Sequence, residues 1–191
     1  MRVIAGEARG RKLSAPPGLA TRPTLARVRE SMFSRLSVRL DFDGLRVLDL
    51  FAGTGSLGIE ALSRGAGHVT FVESARAAIT ALRRNLSALG FAGRARVLKS
   101  DIMRALETLC AEGERFGLVL LDPPYRKGWG DIVLTRVMEL NLLCGGAWVA
   151  TEVSRLEAAP ASLVGLERVS LATLGDHQIA LYQRQSKEAA P

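Results

Sequence analysis

The sequence predicts an α/β fold, a mostly parallel sheet of seven strands with helices on both faces. Three observations carry this. Five short apolar runs alternate with four helical segments after Leu45. Apolar stretches of this length, bounded by glycine or acidic turns, read as buried strands. Two further β-like runs close the chain with Gly175-Asp176 between them, the mark of a terminal hairpin. Strands alternating with helices fold into a parallel sheet whose ligands bind at the carboxyl ends of the strands.

The elements follow in order. Arg46–Phe51 is a strand that runs into a glycine turn, and Ser56–Arg64 is a helix stopped by Gly65. His68–Glu73 is the second strand. Ala75–Leu89 carries apolar residues at 78, 79, 82, 86 and 89, a helical stripe stopped by Gly90. Ala95–Lys99, Phe116–Leu121 and Ala147–Val153 are the next strands. Ile102–Ala111 and Asp131–Leu142 are the helices between them. Glu167–Leu174 and Gln178–Arg184 form the closing hairpin. Ahead of this body, Val3–Ala5 and Arg11–Leu13 flank a glycine-bounded turn and suit a small hairpin. Thr24 suits an N-cap for a helix from Leu25 to Val38, with Leu25, Val28, Met32 and Leu36 on its docking face. Arg29 falls inside that apolar arc. A buried arginine needs an acceptor, so it reads either as a structural pair or as a group presented at the rim of a site.

The chain has 191 residues, with 26 Lys/Arg against 19 Asp/Glu, a net charge of +7. Residues 1–40 hold nine of the basic residues and two of the acidic ones, so the entire excess lies there. This divides the chain into a basic arm, residues 1–40, and a neutral body, residues 41–191. The arm is expected to grip a polyanion, with Arg9, Arg11, Lys12, Arg22, Arg27 and Arg29 as candidate contacts. Cys110 and Cys144 are too few for a disulfide framework and are expected to be reduced core residues. No His/Cys cluster has metal-ligand spacing, so no metal is expected. No apolar run approaches a membrane span and the first residues lack a signal-peptide pattern, so a cytoplasmic protein is expected.

Two motifs carry chemistry. Asp49 to Gly58 (DLFAGTGSLG) follows the first strand, opens a helix and contains G-x-G-x-x-G. Such a turn lets the backbone approach a ligand closely, with free N–H groups at the helix start. Glu73, twenty residues after Gly53, is placed to accept ribose hydroxyls. A dinucleotide and S-adenosylmethionine would both use this pair. Asp49, an acid inside the strand, suits a charged amino-acid moiety and has no obvious use for a dinucleotide.

The second motif is Asp122-Pro123-Pro124-Tyr125, at the end of the fourth strand. Its prolines stiffen the loop and remove two N–H donors, leaving a carboxylate and carbonyls as acceptors. That set suits the exocyclic amine of a base, and Tyr125 offers a flat face for stacking. Accepting both N–H groups favours a pyramidal nitrogen whose lone pair can attack a methyl sulfonium in line.

Together the motifs look like a Rossmann-like class I S-adenosylmethionine-dependent N-methyltransferase. Met1–Ser14, Arg22–Glu30, Leu48–Ala66, Phe71–Glu73, Leu121–Tyr125 and Leu181–Arg184 resemble the bacterial 16S ribosomal RNA guanine-N2 methyltransferase family of the RsmD type. The resemblance implies that Phe51, Gly53 and Gly55 line the cofactor, that Glu73 holds its ribose, and that Asp101 and Ile102 read its adenine. It implies that Asp122 to Tyr125 hold a guanine of small-subunit rRNA, within an assembled or partly assembled subunit, with S-adenosylhomocysteine as product. Tyr125 stands where many members carry Phe, and Ser74-Ala75 lacks an acid frequent after Glu73. An adenine-N6 methyltransferase is the alternative, since the tetrapeptide also serves adenine. Nothing in the sequence demands a dimer, and a monomer is expected.

Overall fold

The sheet is built from residues whose alternation matches two buried faces. The computed structural model describes residues 1–16, 23–124, 128–157 and 159–185. Helix α1 (Pro23–Ser37) leads to β1 (Arg46–Leu50), α2 (Ser56–Ser63), β2 (His68–Glu73) and α3 (Arg76–Leu89). Then come β3 (Ala95–Lys99), α4 (Ile102–Ala111), β4 (Phe116–Leu121), α5 (Trp129–Glu139) and β5 (Leu143–Ser154). The chain closes with β6 (Ser162–Leu163), β7 (Leu166–Leu174) and β8 (His177–Arg184). The strand order is β3-β2-β1-β4-β5-β8-β7-β6. The first five strands are parallel and the last three join antiparallel. The order reverses direction between β1 and β4, the switch point at which such sheets bind ligands.

The fold class is as the sequence predicts, with one strand more. The additional strand, β6, has two residues and pairs with β7 through Ser162↔Glu167 and Leu163↔Leu166. Helix α1 starts at Pro23, one residue before Thr24, so Thr24 is a helical residue and not the expected N-cap; proline's fixed φ suits the first helical position. Strand β5 begins four residues early and shifts register against β4 between Phe116 and Leu118. Cys144 lies in that irregular stretch and is exposed, which corrects its expected place in the core.

Side-chain alternation divides the interior into two layers. Val47, Phe71, Leu118, Leu120, Ala150, Ile179 and Leu181 face α1, α2, α3 and the N-terminal hairpin. Leu48, Leu50, Val72, Val119, Leu121, Val149 and Ala180 face α4 and α5. The hairpin is closed by a single bridge, Arg2↔Lys12, and is fixed to the body by polar groups of α2 and α3. The fully buried Glu60 accepts from Ile4 N (2.8 Å), Ala5 N (3.0 Å) and Arg64 Nε (2.9 Å). Asn85 accepts from Ser14 N and donates to the Ser14 and Thr54 carbonyls. Gly6 lies so close to α2 that a Cβ would stand 1.7 Å from the Ser63 carbonyl oxygen. The edges of the sheet are β3, whose Arg96 pairs with Glu112 and Glu114, and the very short β6.

Candidate active site

Neighbouring strands each bring an acid to the carboxyl edge of the sheet. Asp101 follows β3, Glu73 ends β2, Asp49 lies in β1, Asp122 follows β4 and Glu152 lies in β5. Asp49 shares its face with Val47. Asp122 and Glu152 share theirs with Leu120 and Ala150, paired residues of β4 and β5. Asp49, Asp122 and Glu152 therefore project into the layer that also holds α1 and α2.

The glycine turn after β1 is held by two of these acids. Phe51 (φ 58°), Gly53 (φ 56°) and Gly55 (φ 85°) all adopt the left-handed conformation. At Gly55 this is compounded by proximity, since a Cβ there would stand 2.3 Å from Leu82 Cδ1. Gly53 N donates to Glu73 Oε2 at 2.8 Å, while Glu73 Oε1 accepts from Ser74 N and Ala75 N. Oε2 keeps a free lone pair toward the edge. Asp49 is buried, and its Oδ2 accepts from Gly58 N at 2.8 Å, on the first turn of α2. Burial pushes the Asp49 pKa up to about 7; the Gly58 bond opposes this and Glu73 adds to it. Phe51 meets Trp129 edge to face, with ring centroids 6.0 Å apart, and so ties the turn to the start of α5.

Asp101 Oδ1 caps α4 by accepting from Arg104 N at 3.0 Å, and Ile102 is nearly buried beneath it. Asp122 faces open space on one side, yet protein atoms crowd its carboxyl on the others. This burial, then Glu152, then Asp49, raises its pKa to about 8. Pro123 is buried and Pro124 exposed. Tyr125 and Arg22 lie outside the described residues.

Two residues of this edge escaped the sequence reading. Glu152 is buried in β5, and His177 Nδ1 stands 2.6 Å from its Oε1. An acid interrupting the apolar run of β5 was the available signal. The role of His177 depends on the pairing of β5 with β8, which puts it diagonal to Glu152.

The arm residues separate. Arg9, Arg11, Lys12 and Arg27 are exposed, with Arg11 Nη2 donating to the Ala88 carbonyl at 2.7 Å. Arg29 is buried, and its Nη2 donates to the Arg2 carbonyl at 2.5 Å. It clamps α1 to the hairpin, which corrects its expected place among the polyanion contacts. Among the described residues, no group of three or more His, Cys, Asp or Glu could hold a metal ion, and no helix is long and apolar enough to cross a membrane.

The site fits a cationic ligand with an adenosine half. Asp49, Asp122 and Glu152 crowd together, and Asp49 and Asp122 have raised pKa values. A positive charge among them would relieve that penalty.

A family model described as conserved hypothetical protein 95 matches residues 1–183. Ribosomal RNA small subunit methyltransferase D of Escherichia coli is 38% identical over 197 residues, covering 98% of this chain and 91% of its own. The Haemophilus influenzae protein of the same name is 35% identical over 156 residues, covering 81% and 79%. The solved structure of Escherichia coli yhhF superposes with a TM-score of 0.82 at 34% identity, covering 98% and 99%. An RNA methyltransferase from Salinibacter ruber, solved with S-adenosylhomocysteine, shares the fold with a TM-score of 0.64 at 16% identity, covering 90% and 97%.

Proposed function

The chain belongs to the RsmD-type family, and from that premise we propose that it methylates the exocyclic N2 amine of a guanine in small-subunit ribosomal RNA. The observation that carries this reading is Asp122-Pro123-Pro124 at the end of β4, beside the buried acids Asp49 and Glu152. When bound, S-adenosylmethionine supplies an electrophilic methyl group on a sulfonium. Asp49 would take its ammonium end and Glu73 its ribose hydroxyls, with Ile102 and the free oxygen of Asp101 at the adenine.

The protein's own work is positioning and proton handling. Asp122 Oδ accepts an N–H of the target amine, and prolines on its far side offer no competing donor. This holds the nitrogen lone pair toward the donor and out of conjugation with the ring. Methylation leaves one proton too many on that nitrogen. With a cation beside it the Asp122 carboxyl is held ionised and can take that proton, and its open face lets the proton pass to water. No covalent enzyme intermediate is required. A base in a duplex must leave its stack to reach this edge.

The test is methyl transfer from labelled S-adenosylmethionine to small-subunit particles from a strain lacking the gene, followed by nucleoside mass spectrometry. N2-methylguanosine is the expected product. N6-methyladenosine would overturn the base assignment, and no incorporation into any ribosomal substrate would overturn the function. Asp122→Asn should reduce turnover by about 100-fold or more, the scale of losing a positioned proton acceptor. It should leave S-adenosylhomocysteine affinity within a few-fold, read by calorimetry.

A further inference from the structure

We propose that the groove between α1 and β7 is a track for the RNA phosphate backbone leading to the acid cluster. The inference rests on the RNA methyltransferase reading above. The track keeps Arg27 of the expected contacts and adds Arg35 and Arg39, which the sequence did not single out.

Charge pairing separates the arginines. Arg46, Arg64, Arg94, Arg96 and Arg136 each pair with a glutamate. Among the described residues, no carboxylate lies within ion-pair distance of Arg27, Arg35 or Arg39. Arg35 instead makes long contacts of 3.4 Å to the Ser31 and Ser170 hydroxyls, and Arg39 donates to the Arg35 carbonyl. These three arginines line an open groove of about 640 Å³ with Ser31, Ser34 and a single acid, Glu30. Unpaired guanidiniums beside hydroxyls suit phosphate oxygens, which accept forked hydrogen bonds.

The direction of the groove follows from the topology. The chain leaves α1 at Ser37 and enters β1 at Arg46, on the amino edge of the sheet. Arg64, just past the end of α2, donates to Ser37 Oγ at 3.0 Å on that same edge. The amino end of α1 therefore points to the carboxyl edge, where the acids lie. Strand β7 agrees. Arg35 meets Ser170 mid-strand, and Leu174 at the strand's end lines the same groove. Leu174 pairs with His177, which touches Glu152. Arg27, eight residues before Arg35, lies about 12 Å nearer the site along the helix. Arg39, Arg35 and Arg27 thus form a line that ends at the mouth of the candidate active site, on the sheet face into which Asp122 projects.

The probes are in vitro transcribed small-subunit rRNA and small-subunit particles from a strain lacking the gene. The triple variant Arg27→Ala/Arg35→Ala/Arg39→Ala should raise the KM for RNA by about tenfold or more. It should also flatten the slope of log affinity against log salt by roughly 2, at 0.7–0.9 per lost phosphate contact. Calorimetric S-adenosylhomocysteine affinity and thermal melting confirm that the variant is folded. The triple Lys variant should keep the slope, and Arg96→Ala, at a paired arginine, should not change it. An unchanged slope with methylation intact overturns the track. A loss seen on particles but absent on naked rRNA that the wild type binds overturns it in favour of an acidic protein partner. If the wild type methylates no RNA at all, the functional reading fails instead.

Discussion

Asp49 shows how a single side chain can be costly to the fold and useful to the site. Its folded pKa, about 7, lies above the ordinary carboxylate value, so the folded state holds the proton more tightly than the unfolded chain. Its contribution to stability therefore declines as pH rises from about 4 through about 7. Asp49→Asn keeps an acceptor for Gly58 N and removes the charge. The variant should gain on the wild type by a few kcal/mol in urea unfolding at pH 8 and gain little at pH 4, at about 1.4 kcal/mol per pKa unit. Its S-adenosylmethionine affinity should fall about 10- to 100-fold, the worth of a charged hydrogen bond. A parallel stability profile for variant and wild type between those pH values would show that Asp49 is not penalised by burial. At this scale the sequence was legible where an acid stood at a strand end beside a glycine or proline turn, as at Asp49 and Asp122, or at a fixed spacing from such a turn, as at Glu73, twenty residues after Gly53. It was not legible at Glu152 and His177, 25 residues apart and joined only by β5–β8 register. Arg29 was legible in position, inside an apolar arc, but its acceptor is a backbone carbonyl that no side-chain pattern encodes.

Elements were readable where periodicity ran for several residues. The five parallel strands, the closing hairpin and all five helices follow from apolar spacing and glycine stops. Strand β6 was not readable, because two residues show no period and the turn that makes it lacks the usual signal. That turn is Val164-Gly165, with φ of 45° and 81°. Both positions need the left-handed region, which Asn-Gly adopts readily and a β-branched residue resists. Val164→Asn should therefore stabilise the protein by about 1 kcal/mol, a rise of roughly 2–4 °C in Tm by scanning calorimetry. No rise would mean that the surrounding strands, and not the turn, set the local conformation.

At the scale of the whole molecule, the charge excess of the first 40 residues reads as a separate basic arm, and the packing adds a second role. Val3, Ala8, Leu13, Val28, Met32, Phe33 and Leu36 are buried in the same apolar cluster as β1, β4 and β8. Buried Glu60 and Asn85 supply the polar contacts that fix the hairpin. Composition shows where charge lies, not what the opposite face of a helix touches. Arm and body should therefore unfold in one calorimetric transition. Leu36→Ala should lower the stability of both together by about 2–5 kcal/mol. Amide exchange in the hairpin and Trp148 fluorescence would then shift to the same midpoint; a hairpin that exchanges well before Trp148 responds would mean the two are uncoupled. The sheet margins have a consequence of a different kind. A sheet with free margins must not zip onto a neighbouring chain through an open strand. Here one margin, β3, carries Arg96 and Lys99; at the other, two-residue β6 covers only Leu166 and Glu167 of β7 and, among the described residues, leaves the rest of that strand without a strand partner on its outer side. The charged margin is a poor template for a foreign strand, so any ribbon-like self-association is directed to the outer side of β7, where Val169 and Leu171 are exposed.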